Sequence, residues 1–179
     1  VYKAVMQVVS KLTRIKARYV FDCEKNHVCM KLAVQADMPD VWHEDVADRD
    51  VQTMPGVGVL SFIGPCPSWS NIGRRAPGDL RGHDDPRGGL GTLSLEYVRA
   101  RKPRVLLSSY QSTPHAGRVV LAIESLGYCV QRRILNTSDY GIPHHRRRWY
   151  LIGIRKDCMR DRVRGARCKW WPDPYGYTM

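Results

Sequence analysis

A chain of 179 residues, 43% of them hydrophobic, has the length and apolar content for one domain of ordinary size with a buried core. No apolar run approaches the roughly 18 residues that a membrane helix needs, so no membrane span is expected. The net charge of +12 and a pI near 9.7 point to a polyanionic partner, although charge alone separates neither DNA from RNA nor either from an acidic protein. In chain order, residues 1–18 mix apolar and basic side chains, and Val5, Val8, Val9, Leu12 and Ile15 recur at helical spacing. The first six residues carry neither an initiator Met nor a signal pattern, which suggests a fragment or a processed chain. Tyr19-Val20-Phe21 is a short β-prone run closed by Asp22-Cys23-Glu24. Residues 25–36 read as a helix with Val28, Leu32 and Gln35 on one side, ended by Met38-Pro39-Asp40. Val41 to Val46 reads as a second short strand closing on the carboxylates Glu44 and Asp45.

The apolar run from Val57 to Ile63, broken by Gly58, stops at Gly64-Pro65, the pattern of a buried strand ending in a turn. Residues 71–91 are rich in Gly, Arg and Asp without periodicity, and a loop of that length is more often functional or mobile than filler. A helix over 92–101, a strand over 103–108 and an amphipathic helix over 115–126 capped by Gly127 follow. Strands over 129–135 and 149–154 come next, and the tail from 156 to 179 is basic and then rich in Trp, Tyr, Pro and Gly. Strands alternating with helices predict an α/β domain with a largely parallel sheet. The six cysteines, at 23, 29, 66, 129, 158 and 168, include no C-x-x-C pair, so no metal site is expected and reduced thiols in an intracellular protein fit best. The charge comes mostly from arginine, clustered at 74–75, 99–104, 132–133, 146–148 and 155–167, and arginine suits bidentate phosphate and base-edge contacts.

Cys66 lies just past the carboxyl end of the third strand pattern, where open α/β sheets place their ligands, between two prolines that fix the backbone. Taken alone, it fits a buried structural cysteine better. An acidic residue ending a strand, as at Asp22, is placed to accept hydrogen bonds from ribose hydroxyls, although taken alone a solvated strand end or a helix cap is the commoner role.

In combination the segments carry more. Pro65-Cys66-Pro67-Ser68-Trp69-Ser70 resembles the Pro-Cys-x-x-aromatic-Ser nucleophile loop of the cytosine-5 methyltransferase family, which acts on DNA and, in one branch, on tRNA. Asp85-Pro-Arg-Gly-Gly-Leu90 is similar to the family's Asp-x-Arg-x-x-Leu segment. Asp139-Tyr-Gly-Ile-Pro143 with Arg146-Arg-Arg148 and the strand after it resembles its Asp-Tyr-Gly-Val-Pro-Gln-x-Arg-x-Arg block. Asp22-Cys23-Glu24-Lys25 and Glu44-Asp45-Val46 resemble its two acidic cofactor-side segments. Order and spacing agree over about residues 19–155.

The resemblance implies a doubly wound, mostly parallel, Rossmann-like S-adenosylmethionine-dependent methyltransferase domain, truncated. It would comprise residues 19–155, between a basic segment 1–18 and a loose tail 156–179. It implies a DNA cytosine-5 methyltransferase in which Cys66 is the nucleophile and Arg146 and Arg148 flank the base. Asp22, Cys23, Asp45 and Leu90 would meet S-adenosylmethionine, and Ser70, Arg74, Arg75, Arg87 and Arg147 would face nucleic acid. Ser70, where the tRNA branch usually has Thr, leans towards DNA. The protein would be a monomer, nuclear if its source is eukaryotic.

The chain also departs from the family. Residues 1–18, where an aromatic-x-Gly-x-Gly turn belongs, contain no glycine, and a side chain there obstructs close backbone approach to a cofactor. Ser108-Ser109-Tyr110-Gln111 stands in place of Glu-Asn-Val, whose carboxylic acid protonates cytosine N3. His144 replaces the usual Gln, Ile63-Gly64 the usual Gly-Pro, and the family's target-recognition region does not follow residue 155. A partial or degenerate member of the family is therefore the expectation, with a non-catalytic nucleic-acid-binding remnant or a tRNA cytosine-5 methyltransferase as the alternative.

Overall fold

The computed structural model describes residues 11, 14–36, 38–63, 90–111 and 116–159, which form two compact units, 1–55 and 56–179. The helix reading of 1–18 lies largely outside the described residues, as do the Cys66 loop, the loop 71–89 and the tail beyond 159. Residues 14–20 are described and carry no helix; Arg14 takes a left-handed φ of 59° there.

In the first unit, strand β1 (Phe21–Cys23), helix α1 (His27–Ala36) and strand β2 (Val41–His43) form a single βαβ turn with parallel strands in register Phe21 to Val41, Asp22 to Trp42 and Cys23 to His43. Asn26 starts α1: its Oδ1 accepts the Val28 N–H at 2.9 Å and the Cys29 N–H at 3.3 Å, two of the donors that a helix start leaves unpaired. The side of α1 that carries Val28 and Leu32 is exposed, at 68% and 61%.

The second unit is built on a four-stranded sheet in the order β3-β4-β6-β5. Strand β3 (Val59–Ile63) pairs parallel with β4 (Val105–Gln111), and helices α2 (Leu90–Arg101) and α3 (Ala116–Ser125) lead into β4 and β5 (Tyr128–Asn136). Strand β6 (Arg147–Arg155) enters between β4 and β5, antiparallel to both. The largely parallel reading therefore holds for β1–β2 and β3–β4 and stops at β6. The reason is local: residues 137–146 hold one short 3-10 turn and no crossover helix, so the chain can only turn back on its neighbour. The core lies where Leu106, Trp149 and Leu151 of the sheet and Ile123 and Val119 of α3 are buried, with Tyr97 and Val98 of α2 fully enclosed. Where α3 packs on the sheet, a Cβ at Gly153 would lie 3.4 Å from Leu106 Cβ and 3.6 Å from Ile123 Cγ2, ordinary contact distances. Gly127 ends α3 with a φ of 89°, a conformation other residues adopt at a cost. The buried Tyr128 hydroxyl donates to the Pro103 carbonyl at 2.6 Å, tying the start of β5 to the turn before β4. Among the described residues, no helix is long and apolar enough to cross a membrane, and no cluster of three metal-ligating side chains occurs.

Candidate functional site

The parallel pairing of β1 and β2 puts both carboxyl ends at one edge of the first unit, and with them Asp22, Cys23 and Asp45. Asp22 is half-buried; its Oδ1 accepts the Cys23 N–H at 2.8 Å and its Oδ2 accepts the Tyr19 hydroxyl. Asp45 accepts the Ala47 N–H at 3.0 Å and the Lys25 ammonium at 2.5 Å, and these two, the backbone donor foremost, hold its carboxyl below the usual range. Burial pushes the Cys23 thiol up to about 11, with the Asp45, Asp22 and Glu24 carboxylates adding and Arg49 opposing. A thiol so placed stays protonated and unreactive near neutral pH. Beside it, the Trp42 Nε1 and His43 Nε2 atoms are buried with no hydrogen-bond partner among the described residues.

The second unit gathers a different set. Because β3 and β4 run parallel, and β6 opposes β4 and β5, the carboxyl ends of β3, β4 and β5 and the amino end of β6 share one edge. That edge carries Ile63, from which the chain runs on to Cys66, the residues Ser108 to Gln111, Asn136, and Arg146 to Arg148. Arg148 pairs in register with Gln111 and Leu135, and Arg147 with Asn136. Alternation puts Arg148 on the sheet face that carries Ser109 and Tyr150, and Arg147 on the face of Trp149 and Leu151. Ser108 is buried, and its hydroxyl donates to the Phe62 carbonyl at 2.8 Å across the β3–β4 pair. A shallow cleft of about 390 Å³ opens beside the arginines, lined by Ile134, Asn136, Asp139, His145 and Arg147.

The loop 137–146 is braced from its first residues. Asn136 Oδ1 accepts the Arg146 N–H at 3.0 Å, and its Nδ2 donates to Ser138 Oγ at 2.7 Å and lies 3.2 Å from His145 Nδ1. The Thr137 hydroxyl donates to the His144 carbonyl, and Gly141, at a φ of 77°, lets the turn close.

The structure thus brings Asp22, Cys23 and Asp45 together in one unit and Arg146, Arg147 and Arg148 together in the other. Cys66, Ser70, Arg74, Arg75 and Arg87 lie outside the described residues, and Leu90 contributes its backbone to the start of α2. Asn136 and Thr137 escaped the sequence reading, which ended the strand at Leu135. The signal was an Asn followed by Thr-Ser-Asp, side chains that close turns by bonding the nearby backbone.

An open α/β sheet with an antiparallel last strand and its polar residues at the carboxyl edge defines a fold class shared with solved methyltransferases. Schizosaccharomyces pombe Dnmt2 methyltransferase superposes with a TM-score of 0.60 at 16% identity, covering 84% of this chain and 46% of that one. A putative DNA modification methyltransferase from an Escherichia coli prophage gives 0.53 at 17% identity, covering 80% and 43%. The family model of the C-5 cytosine-specific DNA methylases matches residues 10–170, and the chain belongs to that family. Among its relatives, type II methyltransferase M.FnuDI of Fusobacterium nucleatum is 33% identical over 144 residues, which is 75% of this chain and 37% of that protein. Type II methyltransferase M.MthTI of Methanothermobacter thermautotrophicus is 34% identical over 108 residues, 55% of this chain and 31% of that protein. The chain therefore spans about a third of the length of these relatives.

The acidic edge of the first unit suits the nucleoside part of S-adenosylmethionine in donor chemistry. Ribose hydroxyls and an adenine amino group are donors, and Asp22 and Asp45 present carboxylate oxygens at neighbouring strand ends, each with acceptor capacity left after its protein bonds.

Proposed function

We propose that this chain is the catalytic core segment of a DNA cytosine-5 methyltransferase, in which Cys66 is the attacking thiol and Arg146 and Arg148 hold the base. Cytosine C5 is a weak nucleophile. Addition of the Cys66 thiolate to C6 forms a C–S bond and moves the ring electrons towards C5, and Arg146 and Arg148 offset the charge that develops on the ring carbonyl. S-adenosylmethionine supplies the methyl group that C5 then takes. Removal of the C5 proton expels the thiolate and restores the ring. Asp22 and Asp45 hold the nucleoside of the cofactor by accepting from its hydroxyls and amino group. The base must leave the duplex stack to be reached, and the arginine-rich stretch 74–87 supplies charge for its backbone.

The observation that carries this reading is the shared edge in the second unit. Strand β3, which runs on to the cysteine, and the amino end of β6, which starts with the arginines, have only β4 between them, roughly 10 Å from strand to strand at ordinary spacing. The Ser108–Gln111 stretch offers no acid for cytosine N3, and loss of a general acid removes about 10²–10⁴-fold in rate, so turnover below that of relatives with the carboxylic acid is expected. The commitment of the Ser108 hydroxyl to Phe62 also favours a second reading, a non-catalytic DNA-binding remnant.

Duplex DNA incubated with methyl-labelled S-adenosylmethionine separates the two. Label recovered as 5-methylcytosine with the wild-type chain and lost in Cys66→Ser supports catalysis. Absence of label, together with no heat of S-adenosylmethionine binding by calorimetry, leaves the remnant.

A further inference from the structure

We infer that Asn136 is the positioning residue for the arginine pair: its side-chain amide adds one rung to the β5–β6 ladder and so holds Arg146 in line with Arg148. The inference rests on the reading of Arg146 and Arg148 as the groups that face the target base. Backbone pairing between β5 and β6 stops at Asn136 and Arg147. The N–H of Arg146, one residue further out, is met by Asn136 Oδ1 at 3.0 Å, a side-chain carbonyl doing what a strand carbonyl would do next. The orientation of the amide is fixed by chemistry, since a backbone N–H can only donate and the atom facing it must be the oxygen. The nitrogen then points to Ser138 Oγ at 2.7 Å and to His145 Nδ1 at 3.2 Å, so one side chain joins the outgoing and returning limbs of the loop.

The consequence follows from strand geometry. Residues i and i+2 project to the same face only while the backbone between them stays extended. Arg148 is fixed by its ladder partners Gln111 and Leu135, and Arg146 is not in the ladder at all. Without the Asn136 side chain, the tie of the segment from Pro143 to Arg146 to the sheet side, among the described residues, is the Thr137 hydroxyl bond to the His144 carbonyl, two residues earlier. Asn is the fitting residue because it supplies an acceptor and a donor at once. Asp keeps the acceptor for Arg146 and loses the donor, and Leu, of similar size, loses both.

Two measurements on the full chain test this. In the first, amide exchange of Arg146 is followed by NMR in wild type, Asn136→Leu and Asn136→Asp, with the Leu151 amide as a reference for an intact sheet. Exchange at Arg146 should rise roughly tenfold in Asn136→Leu, as expected for loss of one hydrogen bond, and stay near wild type in Asn136→Asp. If Asn136→Leu fails to fold, Asn136→Ser, too short to reach the Arg146 N–H, takes its place. Unchanged Arg146 exchange with the reference intact overturns the inference. In the second, duplex DNA affinity is measured for Asn136→Leu, Arg146→Ala and the double variant. Asn136→Leu should weaken binding about threefold or more when Arg146 is present and not at all when it is absent, the coupling expected of residues acting as a unit. Additive losses would make Asn136 merely structural. No effect of Arg146→Ala on DNA would sink the reading of the arginine pair, while the exchange measurement still decides the clamp.

Discussion

The enclosed Tyr128 and the half-buried Cys23 show how burial shapes single residues in the two units. Tyr128 is fully enclosed, and burial pushes its hydroxyl up to about 12, above the ordinary value of 10. The folded state keeps that proton where the unfolded chain gives it up, so this part of the stability is intact below about pH 10 and is lost as pH rises towards 12. Urea midpoints measured across that window should fall for wild type and fall less for Tyr128→Phe. The same variant should lose about 1 kcal/mol at neutral pH, because the Pro103 carbonyl is left without its donor. An equal alkaline slope in both proteins would refute the role of Tyr128. Cys23 behaves in a parallel way. Its thiol, held up to about 11, should resist alkylation by iodoacetamide at pH 8 while the exposed Cys29 and Cys158 react, a contrast that peptide mapping reads directly. Cys23 modified as fast as Cys29 would contradict the burial argument.

At the scale of elements, Gly153 lies where α3 packs on the sheet. An added methyl meets Leu106 and Ile123 at 3.4–3.6 Å, ordinary contact, so Gly153→Ala should be close to neutral in stability. Gly153→Val adds two more carbons to a filled space and should cost about 1–3 kcal/mol. Chemical denaturation of the two variants checks this, and a tolerated Val would mean that α3 does not press on the strand. Much of this architecture was legible in the sequence. The alternation of apolar runs and helical spacings marked β3, α2, β4, α3, β5 and β6 within a few residues, and the Gly127 stop proved to be a left-handed cap. Three features were not legible. Tyr19 and Val20 are β-prone yet precede β1, although their carbonyls accept the N–H groups of Asp40 and Val41. Periodicity put Val28 and Leu32 on one side of α1 and cannot say whether that side is covered. The direction of β6 depends on the absence of a crossover in 137–146, which leaves no mark in the strand itself.

For the whole molecule, the order of motifs carried the family, and the match over residues 10–170 agrees with it. The site was legible only in part. Asp22, Cys23 and Asp45 share one edge and Arg146 to Arg148 another, but Asn136 became visible only once β5 and β6 were paired. A chain of charge +12 whose arginines meet phosphate should bind duplex DNA with steep salt dependence. Raising salt from 50 to 200 mM should weaken binding about 100-fold or more, and replacing Arg147 by Ala should flatten the slope by about one unit, at ~0.9 for each phosphate that an arginine no longer neutralises. A slope that Arg147→Ala leaves unchanged would move the phosphate contact elsewhere on the chain. The central claim concerns the thiol at Cys66, and the most direct measurement is a mechanism-based trap. DNA carrying 5-fluorocytosine is incubated with the chain and S-adenosylmethionine, since fluorine in place of the C5 proton stops the cycle after addition. A denaturant-resistant protein–DNA adduct, mapped to Cys66 and absent from Cys66→Ser, is the predicted result. No adduct from the wild-type chain, or an equal adduct from Cys66→Ser, would contradict the account.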